Sequence, residues 1–454
     1  MVYTQLLAIP AMIAISKTQH RLTSRLVEDR YLFQDNPSMI LATKLILSSL
    51  IIYCSIDTVT AAQSITEALK ETVISGDFNL RYEDVDNSVF DSDLLNLRSR
   101  LTLTSGNYRN FSAVVGVEDI RTVFGINDPF GLINDRDVTE LDQTYVQYKT
   151  EKVTAKLGRQ ALALDNRRFI GTAPWRQDRR TLDALRIQIK PTQALSLDFS
   201  YVYKINQFPA KFNDRDANSV LFNSTYNTSI GKLTAYSYLL EDQTVESETD
   251  TYGLRFTGRT ADNYALMYTV EYAQQTNQSF DAEYLLLETG LSAAGLTTKL
   301  GYERRGSDNG NYTFATPLAN AHGYNGWSDI YTNAGRDGLT DLYLLLSGKI
   351  DRVALTARYH QFESDFGGID KGSELDLLAT FPIGDNVNFG MKYATFAQDD
   401  LTTPDDIDKF WLWLTLNFWR LKAPLRESNI DVYPVLVNNA DSNTTGIFLV
   451  AMTG

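Results

Sequence analysis

Short segments that alternate apolar and polar residues recur from about Asp77 to Phe418, and they constrain the fold more than any other feature of the chain. In the last segment the apolar positions are Phe410, Leu412, Leu414, Leu416 and Phe418. Side chains of an extended strand point to opposite faces in turn, so this segment presents one apolar and one polar face. The pattern therefore predicts a strand that separates an apolar from an aqueous environment.

The same alternation is found along most of the chain, and no helical period competes with it after residue 75. Apolar positions share a face at Leu95, Leu97, Leu101 and Leu103, at Leu185, Ile187 and Ile189, and at Tyr264, Leu266, Tyr268, Val270 and Tyr272. Short turns at 190–192, 230–231 and 382–385 contrast with long polar connections at 122–139, 163–180, 304–337 and 397–407. We therefore expect an all-β fold, a transmembrane antiparallel β-barrel of about 18 strands.

Composition supports a strand-built membrane protein and excludes some functions. The chain has 25 Tyr and 22 Phe but only 11 Pro, and its mean hydropathy of -0.23 is too polar for a helical membrane protein. A net charge of -14 argues against nucleic acid as a partner. The alternative fold is a secreted or surface structural or adhesive β-protein without channel activity, since its strands also alternate.

The first sixty residues are typical of a targeting segment. Lys44, an apolar core at 45–56 and small residues at 59–62 indicate a signal peptide over 39–62. It contains the single cysteine, Cys54, so we expect no disulfide in the mature protein. Residues 1–38 are interpreted as a start-site artefact or a leader extension, and 63–76 as a short periplasmic segment. The barrel is expected over 77–418, and 419–454 is a C-terminal extension of unknown status.

Alternation also predicts which charged side chains line the lumen. The basic set is Arg81, Arg98, Arg100, Lys156, Arg186, Arg255, Arg259, Lys299, Arg358 and Lys392, and the acidic set is Asp77, Glu83, Asp198, Glu271, Glu303, Glu374 and Asp376. Two interpretations remain open. The charges either pair and hold the bore open, or Arg98, Arg100, Arg186 and Arg255 form a cationic strip that passes a carboxylate-bearing solute between bidentate contacts.

Two further stretches go beyond alternation. The first contains Arg159, Gln160, Asp165, Arg167, Arg168, Trp175, Arg176 and Arg180. The second contains His322, Asn325, Trp327 and Asp329. Both resemble stretches of the alginate export family of Gram-negative outer-membrane proteins, and the resemblance extends more loosely from about Asp77 to Phe418.

The resemblance implies an 18-stranded porin in the bacterial outer membrane with a passive, arginine-lined pore. Its solute would be an anionic polysaccharide or a small organic molecule, and the residues of the two stretches would contact it. A folded loop that plugs the lumen with its own hydrogen bonds is the alternative role for these residues. Arg159 has the parity of Leu157, so a bulge near Gly158 is needed to turn it inward.

Partners and chemistry follow from this interpretation. We expect contact with outer-membrane lipid and lipopolysaccharide, and insertion by the barrel machinery through a terminal strand ending at Phe418. No cofactor, metal or catalytic residue is predicted. Only His322 and His360 remain after signal removal, and neither lies in a nucleophile motif.

Overall fold

The computed structural model describes residues 62, 64–87, 91–124, 133, 135–208, 213–261, 264–398, 406–421, 432–438 and 445–451. The predicted signal peptide lies outside these residues apart from Ala62, and the predicted leader at 1–38 lies wholly outside them. No helix in the described segments is long and apolar enough to cross a membrane.

One short helix precedes a long series of strands. Helix α1 covers Ile65–Lys70, and the first strands are β1 (Val73–Asn87), β2 (Asp91–Thr104), β3 (Phe111–Phe124), β4 (Val138–Lys149), β5 (Val153–Gln160), β6 (Thr181–Ile189) and β7 (Leu195–Asn206). They are followed by β8 (Arg215–Asn227), β9 (Lys232–Asp242), β10 (Ser247–Arg259), β11 (Ala265–Asn277), β12 (Phe280–Ala293), β13 (Leu296–Arg305), and the short β14 (Ser307–Asp308) and β15 (Tyr312–Thr313). The last strands are β16 (Leu339–Ile350), β17 (Val353–Glu363), β18 (Asp370–Pro382), β19 (Val387–Ala397), β20 (Ile407–Leu421), β21 (Val432–Asn438) and β22 (Thr445–Ala451).

Helix α1 was not predicted, and its formation is explained by local capping. The Ser64 Oγ accepts a hydrogen bond of 3.1 Å from the backbone N–H of Glu67. Glu67 lies in the first turn and Lys70 in the last, which complements the helix dipole.

The barrel is a single sheet of 18 antiparallel strands, which confirms the predicted fold class. Strand β1 pairs with β2 on one side and with β20 on the other, and this second pairing closes the sheet on itself. The closing ladder aligns Gly76 with Phe418 and Leu80 with Leu414. Closure leaves no free edge, so every barrel strand has two hydrogen-bonded neighbours. The observed barrel strands run from Val73 to Leu421, a few residues beyond the expected limits at each end.

The two rims of the barrel differ in the length of their connections. On one rim the turns are short, as at 150–152, 294–295 and 351–352. On the other rim lie the long connections at 125–137, 161–180, 306–338 and 398–406, close to the predicted positions. The rim with short turns also holds the start of β1 and the end of β20.

Large apolar side chains cover the outer face of the sheet. Leu101 is 44% exposed and Leu414 is 39% exposed, and many other leucines, valines and tyrosines are exposed on the same face. Ile187 has the same parity but is buried; it lies opposite Phe199 in the ladder. An apolar surface this extensive is stable only against an apolar medium.

Candidate functional site

Two long connections fold back onto the inner wall of the barrel. We call residues 161–180 loop A and residues 306–338 loop B. In loop A, the Gln177 side chain donates to the backbone oxygen of Asn79 at 3.4 Å and to the Asn96 side chain at 2.6 Å. In loop B, the backbone N–H of Ser328 donates to Glu374 at 2.7 Å. Asn79, Asn96 and Glu374 belong to β1, β2 and β18, so both loops are fastened to the wall of the barrel.

The loops are also joined directly to each other. The backbone N–H of Gly171 donates to the oxygen of Leu318 at 2.7 Å, and that of Asn320 donates to the oxygen of Arg167 at 3.0 Å. Phe169 of loop A packs against Phe314 of loop B, with ring centroids 5.6 Å apart. The two stretches singled out from sequence therefore form one folded unit.

Arg168 is the main polar anchor of this unit. It is 1% exposed, and its guanidinium donates to Glu303 of β13 at 2.7 Å and to Asn325 of loop B at 2.8 Å. Glu303 also accepts from the Tyr284 hydroxyl at 2.6 Å and from the Asn325 side chain at 2.7 Å. The buried Glu303 carboxylate thus accepts hydrogen bonds from Arg168, Tyr284 and Asn325. Such bonds offset the cost of burying a charge pair.

A second junction joins both loops to β19. The Trp175 ring of loop A stacks on the His322 ring of loop B, with centroids 4.7 Å apart and planes 6° apart. The Lys392 ammonium contacts His322 Nε2 at 2.7 Å. It also lies 3.6 Å from the Trp175 ring centroid and 4.1 Å from that of Trp327. The same ammonium is 5.4 Å from the ring centroid of Trp411 in β20, so aromatic rings surround a buried cation.

His322 and Asp329 set the charge of this junction. Nδ1 of His322 is 2.9 Å from Asp329, which also accepts from Arg176 at 3.0 Å. Because the Lys392 ammonium has only hydrogens to offer, Nε2 of His322 must accept and Nδ1 must donate. Burial lowers the pKa of His322 to about 3, which agrees with a neutral ring. Burial alone would raise the pKa of Asp329, but His322 and Arg176 outweigh it and hold that pKa well below its usual range.

Most of the predicted basic side chains on the wall are neutralised by carboxylates. Arg98 pairs with Asp77 at 2.5 Å, Arg186 with Asp198 at 2.6 Å, and Lys299 with Glu288 at 2.8 Å, while Arg100 contacts Glu118 and Arg255 contacts Glu271. The four arginines proposed as a cationic strip are therefore all in ion pairs. This arrangement favours the interpretation in which opposite charges hold the bore open.

Two wall arginines instead contact the loops. Arg81 pairs with Asp135 and Glu83, and its guanidinium lies 5.0 Å from the Trp175 ring centroid. Arg358 donates to the backbone oxygen of Gly323 at 3.2 Å.

The bulge expected at Gly158 is absent. The ladders of β5 with β4 and with β6 continue through Gly158 without a register shift, although this glycine has a φ of +123°. Regular alternation leaves Arg159 on the side of Leu157. Its guanidinium pairs with Asp183, directly opposite on β6, at 2.9 Å.

The remaining predicted residues have separate roles. Asp165 accepts from Asn223 at 2.6 Å, Gln160 donates to the oxygen of Ala184 at 3.0 Å, and Arg167 is exposed. Arg180 is buried and donates only to neutral oxygens, those of Gln207 at 2.6 Å, Ala319 at 3.1 Å and Gly171 at 3.3 Å. Burial lowers the pKa of Arg180 to about 9, so the group stays charged at neutral pH.

A cavity of about 570 Å³ lies between loop A, loop B and the wall. Its basic lining residues are Arg176, Arg180, Arg305, His322 and Lys392, its acidic residue is Asp329, and Trp175, Phe208, Trp327 and several alanines and prolines complete the surface. Arg305 is buried and donates to the backbone oxygens of Phe314, Tyr331 and Thr332 at 3.2–3.4 Å. Within the described residues, no carboxylate forms an ion pair with Arg180, Arg305 or Lys392.

Arg305 was missed by sequence reasoning, and Lys392 was found only as one of many wall charges. Arg305 is the last residue of β13, where alternation gives way to loop B. No local pattern distinguishes a paired from an unpaired cation, because the pairing depends on residues far apart in the chain.

Comparisons with known proteins agree with this architecture. The 18-stranded barrel is similar to OccAB4 of Acinetobacter baumannii, with a TM-score of 0.62 and 14% identity over 77% of this chain and 98% of that chain. It is also similar to OccK2 (OpdF) of Pseudomonas aeruginosa, with a TM-score of 0.63 and 11% identity over 78% and 99%. The P. aeruginosa OpdK structure with vanillate gives a TM-score of 0.62 and 10% identity over 78% and 100%.

At these identities the structural likeness shows the fold alone, and the search of curated proteins found no match. The sequence itself carries the family relationship. A model of the alginate export family, described as "Alginate export", matches residues 74–363, which is more than half of the chain. With its closed 18-stranded barrel, the chain belongs to the alginate export family and is a porin of the bacterial outer membrane.

Proposed function

We propose that this porin passes small organic anions by passive diffusion, and that the cavity between loops A and B is where it selects them. The observation that carries the proposal is the set of three buried cations, Arg180, Arg305 and Lys392, that share one cavity and have no carboxylate in ion-pair contact among the described residues. A buried cation without a counter-ion is costly, and a carboxylate solute would offset that cost.

The guanidinium groups suit a carboxylate better than a simple halide. A guanidinium presents several N–H donors in a fixed plane that matches the two oxygens of a carboxylate. Arg180 and Arg305 both donate to neutral oxygens, which a charged acceptor can replace. Charge-assisted hydrogen bonds are roughly twice as strong as neutral ones, so the exchange would favour the anion.

The rest of the lining suits a solute with an apolar body. Ala173, Pro174, Pro317 and Ala319 line the cavity together with the Phe208 ring. The volume of about 570 Å³ falls in the range of small-molecule sites. OpdK, a structural neighbour, was determined with vanillate, and a small aromatic acid of that kind fits both the cations and the apolar surface.

A polysaccharide is the second candidate, because the family is named for alginate export. The structure favours the smaller solute, since loops A and B are fastened to the wall and to each other across the bore. For example, the single side chain of Arg168 in loop A donates hydrogen bonds to both Glu303 on the wall and Asn325 of loop B. A polymer would need both loops to move aside together.

The proposal is tested by solute uptake into proteoliposomes that contain the purified barrel. Benzoate should enter several times faster than a neutral sugar of similar size, and an oligouronate should enter slowest. Arg180→Gln and Arg305→Gln should each remove most of the preference for benzoate. The control is Arg121→Gln, an exposed arginine paired with Asp119 near the end of β3, which should change nothing. Equal uptake of benzoate and sugar by the unaltered protein would refute the proposal.

A further inference from the structure

The cavity between loops A and B carries more positive charge than one carboxylate can offset. Asp329 is the acidic residue of its lining, and it already forms an ion pair with Arg176 at 3.0 Å. Arg180, Arg305 and Lys392 remain as buried cations that pair with no carboxylate in the described part of the chain. Because buried charges are costly unless they are paired, a solute with a single carboxylate would leave most of this cost in place.

Two of these cations, Arg180 and Arg305, each keep one nitrogen free. Arg180 uses Nε for the Gln207 side chain and Nη1 for backbone oxygens of loops A and B. Arg305 uses Nε and Nη1 for three backbone oxygens of loop B. Nη2 of each has no acceptor within the described residues, although the side chains are only 4% and 3% exposed, and neither atom is fully enclosed by the protein. Both free nitrogens therefore face the open cavity that the two residues line.

The two guanidinium groups are held at opposite ends of one segment of loop B. Arg305 Nε donates to the backbone oxygen of Phe314 at 3.2 Å, where the segment starts. Arg180 Nη1 donates to the backbone oxygen of Ala319 at 3.1 Å, where it ends. The two groups share no acceptor, and residues 315–317 between these contacts line the cavity. The cavity thus offers two separate points of contact for anionic groups, with a mostly apolar surface between them.

We propose that the solute selected by this cavity is a dicarboxylic acid with a compact apolar body, one carboxylate contacting Arg180 and the other Arg305. This inference rests on the proposed function and narrows its solute class. Each carboxylate accepts from a free Nη2, so the bonds that fasten the loops stay in place, and such charge-assisted bonds are the strong ones. Lys392 adds a third positive charge to the same lining, so the cavity attracts the dianion as a whole. The volume of about 570 Å³ accommodates an aromatic ring with two carboxylates.

Calorimetric titration of the detergent-solubilised barrel measures this preference at constant ionic strength. The probes are benzoate, its three dicarboxylate analogues phthalate, isophthalate and terephthalate, and the neutral terephthalamide. The tightest of the three dicarboxylates should bind at least about tenfold more tightly than benzoate, because a second charge-assisted contact is added. Terephthalamide should bind more weakly than benzoate. The isomer that binds best reports the spacing of the two guanidinium groups, because the distance between the carboxylates differs among the three.

Single substitutions test the two points of contact separately. Arg180→Gln and Arg305→Gln should each remove most of the difference between the best dicarboxylate and benzoate, because each variant keeps one guanidinium of the two. The matched control is Arg121→Gln, which removes an exposed guanidinium outside the cavity and should keep the full difference. Heat-modifiable migration on gels checks that each variant still forms the barrel.

Binding of all three dicarboxylates no tighter than that of benzoate to the folded, unaltered protein would overturn this inference. So would a difference that persists in both folded glutamine variants. If benzoate still enters proteoliposomes faster than a neutral sugar, the inference fails and the proposed function stands. If benzoate and the sugar enter equally, the proposed function fails as well, so the two failures are distinguishable.

Discussion

Replacement of Arg168 by methionine should release loops A and B from the wall. The substitution keeps an unbranched, flexible stem but removes the guanidinium, with its charge and its hydrogen bonds to Glu303 and Asn325. Glu303 is then a buried carboxylate that keeps only the Tyr284 hydroxyl and the Asn325 amide. Breaking a buried ion pair by removing one partner costs about 3–5 kcal/mol.

The loops should absorb this cost before the barrel does. The sheet is closed by ladders that do not involve Arg168, whereas Arg168 is one of the side chains that fasten loop A to both the wall and loop B. Since about 1.4 kcal/mol corresponds to a factor of ten, the equilibrium between docked and undocked loops should shift by about 10² to 10³ or more. Single-channel recordings should therefore show a higher mean conductance and frequent transitions.

The double variant Arg168→Met with Glu303→Leu distinguishes a charge effect from general damage. Removal of both charges should cost less than removal of Arg168 alone, so the double variant should recover part of the quiet, low conductance. Arg121→Met, at an exposed position near the rim, is the control. If folded Arg168→Met conducts like the unaltered protein, loop docking does not depend on this pair and the reasoning is wrong.

Three further predictions follow from the same junctions. Burial lowers the pKa of His322 to about 3, below its ordinary value of 6.5, so the undocked loop binds a proton at a higher pH than the docked loop. Loop docking should therefore weaken as the pH falls below about 6.5, and single-channel recordings should show increasing current noise. The His322→Gln variant should show a smaller dependence on pH. Gly326→Ala should destabilise the docked form of loop B by about 1–3 kcal/mol, because Gly326 has a φ of +86° and an added Cβ would meet the Glu374 carboxylate. In a urea titration, loop B of this variant should undock at a lower urea concentration than in the unaltered protein. Lys392→Met should lower anion preference in uptake assays while Lys152→Met, in the turn after β4, should not; equal effects would contradict the role assigned to Lys392.

Alternation made the barrel predictable because each strand repeats the same division between lipid and water. Leu101 and Leu414 lie on the exposed apolar face as expected, and Trp411 and Lys392 lie on the buried polar face. The long connections were also predicted near their observed positions, since polar runs cannot belong to an alternating strand. The resemblance to one family identified the residues of loops A and B that meet, such as Trp175 and His322.

The sequence could not show which charges are compensated. Arg98 and Arg305 are both arginines of barrel strands, and the sequence does not distinguish them. In the part of the chain that the structure describes, Arg98 forms an ion pair with Asp77, whereas Arg305 donates its hydrogen bonds to backbone oxygens. The bulge near Gly158 was wrongly predicted, because Gly158 adopts a positive φ without shifting the register.

The reversal potential across a planar bilayer, measured in a gradient of a small organic acid's potassium salt, tests the central claim most directly. If uncompensated Arg180, Arg305 and Lys392 select the solute, the potential should lie toward the equilibrium value of the organic anion, and Arg180→Gln combined with Arg305→Gln should move it toward zero. A cation-selective potential in the unaltered protein, or one that the double variant leaves in place, would contradict the account.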